Sequence, residues 1–334
     1  MIVPAFNEAE TIGDTILSLQ KQTSPPQRII VVDDCSSDGT GEVASSYGVD
    51  VLRPDHNTGS KAAAQTFALN AVTSPFTLAI DADTILDADA IARLRIVFLD
   101  DDVAAASGFV LPRYVKTPWE RGRYVEYLYG FTFHKPIQDF YRRPLISSGC
   151  FSMYRTEVLR DVGGWSDRTM AEDMDLTWTF YQRGWQVRFE PEAVSYPIEP
   201  SNMTFLAKQL RRWSHGFVQN VQLHWRGVLG LRYLRSTIAI GFFDAIVASL
   251  VTLFLIPALA VAFSPWFLLF YIVDLPVVAI PVVVGGWRRG ETLLALTSLP
   301  SYFLLRLVNS WFMLGAVVSE LILGRRLDSY EKGH

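Results

Sequence analysis

Hydrophobic residues follow two regimes along this chain. Up to about Arg235 they come in short runs or at helical spacing between charged segments, and beyond it they are almost continuous. In the first regime Ile2–Pro4, Arg28–Val32, Val49–Leu52 and Phe76–Ile80 are apolar runs too short and too unbroken for amphipathic helices, which predicts buried strands. Between them Ile12, Ile16 and Leu19 recur at helical spacing within Thr11–Gln22, and Pro25-Pro26 close that helix. An alanine-rich helix is predicted over Gly59–Val72, further strands over Val103–Leu111 and Phe151–Tyr154, and a helix from Ala171 to about Gln182. Strand alternating with helix argues for an α/β domain, a mostly parallel sheet with right-handed crossovers of the nucleotide-binding type. The aromatic and basic segment Arg113–Pro144 reads as helices near a membrane surface or roofing the site, and another helical stretch starts near Thr204.

In the second regime Ala245–Val273 holds 29 residues without a charge, and Thr237–Gly286 contains only Asp244 and Asp274. A span needs roughly 20 apolar residues, so this region reads as two spans turning near Ser264-Pro265. Thr292–Leu323 is apolar except for Arg306 and Glu320, giving three to four membrane segments in all. Arg288-Arg289 suits the cytoplasmic side, and Arg325-Arg326 argues mildly for an even total. Asp274 is either a pairing partner for Arg306 or a helix end in the interface. The expected organisation is a soluble domain over 1–203, interfacial helices over 204–235, a transmembrane region over 236–324 and a polar tail over 325–334.

Composition narrows the class. Of 334 residues 50% are hydrophobic and the formal net charge is −4, which argues against a nucleic-acid binder. The two cysteines, Cys35 and Cys150, offer no disulfide framework and fit a reducing compartment. The start at Met1 shows neither a basic nor an apolar leader segment, and the Ile2–Pro4 strand is short enough to expect a residue or two upstream.

The candidate chemistry lies where strands end. Phe76–Ile80 delivers Asp81 and Asp83 to the crevice at the carboxyl end of the sheet, where two carboxylates can share a divalent cation. As helix caps they would be unremarkable, but the pattern repeats: Arg28–Val32 runs into Asp33-Asp34 and a polar turn from Ser36 to Thr40. Lys61 stands in the first turn of a helix, where the dipole disfavours a cation, so it is expected to serve an anion. Glu172, Asp173 and Asp175 crowd another first turn, more carboxylates than capping requires. Gln209, Arg212 and Trp213 set donors beside a flat indole, the chemistry of diphosphate and sugar binding or of a juxtamembrane belt. No Gly-x-Gly-x-x-Gly and no Gly-x-x-x-x-Gly-Lys-Ser/Thr occurs, and the five histidines lack metal-ligand spacing.

Taken in order, these motifs resemble the processive branch of the family-2 glycosyltransferases, similar to cellulose, chitin, hyaluronan and poly-N-acetylglucosamine synthases and to ceramide glucosyltransferase. The resemblance covers roughly Ile2 to Trp213 and rests on Val32-Asp33-Asp34 with Ser36–Thr40, Asp81-Ala82-Asp83, Glu172-Asp173 and Gln209–Trp213. It implies a single nucleotide-sugar-binding domain, GT-A-like and Rossmann-like, ahead of an α-helical membrane region. It implies that Pro4, Phe6, Glu8 and Asp34 hold the base and ribose, Lys61 the diphosphate region, and Asp81 and Asp83 a Mg²⁺ or Mn²⁺ ion with the diphosphate. Asp173 becomes the general base beside Glu172, although Ala171 stands where threonine is usual. Gln209, Arg212 and Trp213 fall to the diphosphate and acceptor, and Ser148, Gly149 and Cys150 to the acceptor pocket.

The implied reaction is inverting transfer from a nucleoside diphosphate sugar, UDP-linked by preference, to a membrane-associated acceptor or growing polysaccharide. Single transfer to a lipid acceptor is the alternative, and a nucleotide-sensing receptor or transporter is the reading from another class. The partners implied are the sugar donor, a lipid or glycan acceptor and membrane lipids, with room for an oligomer. The catalytic domain is expected on the cytoplasmic side of the plasma membrane.

Overall fold

β1 (Ile2–Ala5) and β2 (Ile30–Asp33) pair in parallel, Ile2 opposite Ile30, and every residue of β2 is buried. β3 (Asp50–Leu52) lies outside β2, and β4 (Phe76–Ile80) inside β1. The computed structural model describes residues 1–328 and resolves into two units, Met1–Arg113 with Gln138–Ile198, and Tyr114–Ile137 with the chain from Glu199 onward. The expected tail over 325–334 lies outside the described residues from position 329.

In the first unit α1 (Ile12–Gln20), α2 (Thr40–Ser46) and α3 (Lys61–Leu69) are the crossovers of the parallel half. β5 (Ile85–Leu86), α4 (Ala90–Val97) and β6 (Val103–Val110) follow, then β7 (Phe151–Arg155), α7 (Thr156–Asp161), α8 (Glu172–Gln182) and β8 (Gln186–Tyr196). The sheet runs β3-β2-β1-β4-β7-β6-β8-β5. β7 runs antiparallel to both its neighbours, β4 and β6, and β5 antiparallel to β8, so the sheet is mixed, with its parallel half as the alternation predicts. Ile12, Ile16 and Leu19 are fully buried with Val3, Val31 and Ile80 in one apolar core. That burial, more than helix propensity, secures a nine-residue helix such as α1.

In the second unit α5 (Pro118–Tyr129) opens on a capping box between Thr117 and Glu120, and α6 (Lys135–Phe140) follows a π-turn over Gly130–His134. α9 (Met203–Val228) is capped by Asn202, whose side chain accepts from the N–H of Phe205 at 3.1 Å. Leu206 and Leu210 of α9 pack on Leu305.

Three helical stretches are long and apolar enough to cross a membrane: Arg232–Ala262, Pro265–Arg288 and Thr292–Ile322. They contain α10 (Arg232–Phe243), α11 (Ile256–Ala262), α12 (Leu275–Arg288) and α13 (Thr292–Val317). Phe243, Phe263, Trp266, Phe270 and Trp287 stand more than half exposed on them, an apolar surface that calls for lipid. Arg306 donates to Asp274 Oδ2 at 2.5 Å and to the Tyr271 carbonyl at 2.8 Å, while Asp274 stands at the N-cap position of α12, so both the pairing and the helix-end position that the sequence left open are present.

Candidate functional site

In the first unit the chain turns sharply where β1 and β2 end. Asn7 (φ 54°) and Cys35 (φ 63°) adopt left-handed conformations, which cost a non-glycine residue about 1–3 kcal/mol and persist only where surroundings enforce them. The enforcement is visible. The Asn7 N–H donates to Ser36 Oγ at 3.0 Å, Ser37 donates its N–H to Asn7 Oδ1 at 2.9 Å, and the Glu8 N–H donates to Thr40 Oγ1 at 2.8 Å. These bonds knit the two strand ends together. Pro4 is within β1 opposite Val32, the Glu8 carboxylate accepts from Thr11 Oγ1 at 2.7 Å, and Phe6 is left 42% exposed.

The paired aspartates after β2 divide their work. Asp33 is buried in an ion pair with Arg53 and accepts the Ser36 N–H at 2.9 Å, a structural role. The Asp34 carboxylate is held by Thr58, which donates its N–H to Oδ1 at 2.7 Å and its hydroxyl to Oδ2 at 2.9 Å. No sequence motif pointed to Thr58.

Two further carboxylates meet at Lys61. Its ammonium contacts Asp81 Oδ1, lies 3.7 Å from Glu172 Oε1 and donates to the Gly149 carbonyl at 3.0 Å. In this structure the lysine meets two of the chain's own carboxylates. Asp173 stands beside the same cluster, with Oδ2 accepting the Gly149 N–H at 2.8 Å and Oδ1 accepting the Met174 N–H at 2.9 Å. Gly149 is needed for its size, since a Cβ there would lie 2.9 Å from Asp173 Oδ2 and 3.1 Å from Lys61 Nζ.

Burial and the neighbouring Glu172 push the Asp173 carboxyl up to about 6, against the opposing pull of Lys61 and the two N–H donors. That value suits a group that takes a proton near neutrality. The third carboxylate of the turn is accounted for separately, because Arg168 grips Asp175 with two hydrogen bonds of 2.7 and 2.8 Å. Ser148 and Cys150 flank Gly149: the Ser148 carbonyl accepts from Ser152 Oγ at 2.7 Å, and the Cys150 carbonyl accepts the Asp81 N–H at 3.3 Å.

Among the described residues no group of three or more His, Cys, Asp or Glu forms a metal cage. The donor set does suit Mg²⁺ or Mn²⁺, which need only one or two protein carboxylates when substrate phosphates complete the shell. The Asp81 side chain is 32% exposed, while Asp83 is buried and takes the Thr84 hydroxyl on Oδ1 at 3.0 Å.

The Gln-x-x-Arg-Trp residues belong to the second unit. Gln209 and Trp213 lie one turn apart on α9 and both meet Arg123 of α5, a residue no motif singled out. Arg212 is half-buried between them.

Comparison with known proteins finds similar sequences and folds. The family model described as "Glycosyl transferase family 2" matches residues 1–163. Over 220 residues the chain is 26% identical to the poly-beta-1,6-N-acetyl-D-glucosamine synthase of Staphylococcus epidermidis, covering 64% of this chain and 53% of that protein. The Staphylococcus aureus synthase is 28% identical over the same length and the same shares. The chain thus spans about half the length of the curated relatives it matches. Among solved structures, the mannosyltransferase PcManGT from Pyrobaculum calidifontis, in complex with GDP-Man and Mn²⁺, superposes with a TM-score of 0.62 at 18% identity, covering 96% of this chain and 86% of that one. S. aureus TarS 1-349 in complex with UDP gives 0.50 at 16% identity, covering 93% and 89%. At these identities the likeness is one of fold.

Proposed function

We propose that the chain, whose residues 1–163 match the glycosyl transferase family 2 model, is a glycosyltransferase that moves a sugar, with inversion, from a UDP-linked donor to a membrane-associated acceptor or growing polysaccharide. The observation that carries this reading is the Asp173 carboxylate, fixed by the Gly149 N–H at 2.8 Å and raised to about 6 beside Lys61 and Glu172. Asp173 takes the proton of the attacking hydroxyl as its oxygen reaches the anomeric carbon opposite the leaving diphosphate. Lys61 offers an ammonium for the charge that develops on the leaving group. A divalent cation held by Asp81 and Asp83 would offset the remainder of that charge. Phe6, with its ring half exposed, and Asp34, set by Thr58, receive base and ribose; Pro4 and Glu8 hold the strand end in shape.

Support for a nucleotide-sugar donor comes from similar proteins: the staphylococcal synthases are named for an N-acetylglucosamine polymer, and PcManGT, alike in fold, was solved with GDP-Man and Mn²⁺. Gln209, Arg212 and Trp213 keep, within this proposal, the diphosphate and acceptor roles that the resemblance implies, and Ser148, Gly149 and Cys150 line the acceptor side. The basic Arg288-Arg289 loop favours the cytoplasmic face for the catalytic domain. Transfer of one sugar to a lipid is the second reading, favoured by the three apolar helices, which give a lipid-soluble acceptor a place in the bilayer.

The test is product analysis with the full chain in lipid nanodiscs, Mn²⁺ and a panel of UDP-sugars. UDP release with a sugar-bearing product is expected; extraction of that product into organic solvent marks a lipid acceptor, and retention in water marks a polymer. Absence of UDP release from every donor by the folded protein overturns the proposal.

A further inference from the structure

Arg123 is 1% exposed, an unusual depth for a guanidinium. It lies at the centre of a polar cluster within the second unit. Its Nη1 contacts Glu126 Oε2, its Nη2 donates to Gln209 Oε1 at 2.5 Å, and its Nε stands 3.4 Å from Glu199 Oε2. The guanidinium carbon lies 4.3 Å from the centroid of the Trp213 ring. Each acid has a second tether. Glu199 Oε1 accepts the Tyr127 hydroxyl at 2.6 Å, and Glu126 Oε1 accepts Asn309 Nδ2 of α13 at 2.8 Å.

One planar cation therefore touches both ends of the Gln-x-x-Arg-Trp turn and anchors each. Residues four apart on a helix share a face, which lets a single guanidinium reach Gln209 and Trp213 together. A guanidinium both forks and stacks, and a lysine ammonium does only the weaker part of either. Trp213 remains 37% exposed, so Arg123 backs the indole without covering it.

We propose that Arg123 is a positioning residue for this motif: it holds Gln209 by its amide oxygen and backs one face of Trp213, so that the remaining indole surface is presented in a fixed pose to the acceptor sugar. This rests on the reading that Trp213 meets the acceptor. Gln209 is on this account an anchor whose oxygen is committed to Arg123, and Glu126 and Glu199 are the counter-charges that keep the guanidinium ionised in a buried place.

The test uses the full chain in nanodiscs, with Arg123→Lys as the first variant. Lysine keeps the charge and loses the fork and the stack. Acrylamide quenching of Trp213 is read as the difference between each protein and its Trp213→Phe counterpart, and transfer is followed from UDP-GlcNAc to a β-1,6-linked N-acetylglucosamine trimer. The expected result is a Trp213-specific quenching constant at least doubled, with KM for the trimer raised at least tenfold and KM for UDP-GlcNAc changed less than threefold. Should the lysine variant fail to fold, Glu126→Gln, nearly isosteric, decides in its place, with the same pattern at threefold or more in trimer KM. An unchanged Trp213 signal, or parallel rises in both KM values, overturns the proposal. If wild-type protein turns over no UDP-sugar, the functional reading falls by itself, and the quenching difference still decides whether Arg123 sets the indole.

Discussion

The backbone N–H of Gly149 donates to Asp173 Oδ2 at 2.8 Å across a gap that leaves no room for a side chain. A methyl at position 149 would press on both that oxygen and Lys61 Nζ, at 2.9 and 3.1 Å. Gly149→Ala is therefore expected to displace the base while leaving the sheet intact. Turnover should fall about 10²-fold, the usual cost of an ångström-scale misplacement. UDP release beside a thermal melt checks this; an unchanged rate would dissociate Gly149 from catalysis.

The raised Asp173 carboxyl has consequences of opposite sign for activity and stability. With its value near 6, the rate should drop about tenfold per unit below pH 6 and level off above it. Lys61 pulls that value down, so Lys61→Met should move the inflection upward. The folded value lies above the ordinary 3.8, so the ionised group costs stability, and the cost appears as pH rises from about 4 through 6. Asp173→Asn should accordingly lower turnover by about 10²–10⁴-fold. At pH 8 it should stabilise the fold by about 1–2 kcal/mol, allowing for the residue's partial exposure. Rate profiles and pH-dependent melts read both.

Lys61 contacts the Asp81 oxygen that, on the proposed reading, a divalent cation would use. Removing the ammonium in Lys61→Met should strengthen binding of Mn²⁺ alone several-fold, read by electron paramagnetic resonance. Binding of UDP should weaken in the same variant, because the diphosphate loses a positive partner. Asp83→Asn should lose metal-dependent UDP binding in calorimetry. Equal effects of Lys61→Met on both ligands would show that the lysine does not occupy the cation's place.

Arg306 and Asp274 form an ion pair between helices apolar enough to span a membrane. Breaking one partner leaves the other charge uncompensated in a poor solvent for it. Asp274→Asn should destabilise the protein by about 2–3 kcal/mol. The double variant Asp274→Asn with Arg306→Gln should cost less than the sum of the two single changes, measured by thermal unfolding in nanodiscs.

Local signals carried well from sequence to structure where a strand or a helix depends on its own residues. The runs at Ile2–Pro4, Arg28–Val32 and Phe76–Ile80 became strands because each is apolar enough to be buried without help from a partner pattern. The cluster of Lys61 with Asp81 and Glu172 was half visible: the awkward position of a cation in a first turn announced an anionic neighbourhood, but not that two of the chain's own carboxylates contribute to it. β8 went unread, since Glu190, Pro191 and Glu192 interrupt the alternation of an eleven-residue strand. Thr58 and Arg123 were illegible for another reason. Their meaning lies in partners 24 and 86 positions away, and no local spacing encodes such pairs.

The place of β7 in the sheet bears on how the protein is made. β7 lies between β4 and β6, both of which precede it in the chain, and residues 114–137 of the second unit are synthesised before it. On the ribosome β4 and β6 each emerge as a raw border lacking the neighbour that will join them. Until Phe151–Arg155 slots in between, both borders are open to mispairing, and the turn that brings Gly149 to Asp173 has no strand to anchor it. Biogenesis thus delays the assembly of the reactive centre until the helices of that excursion have already left the ribosome.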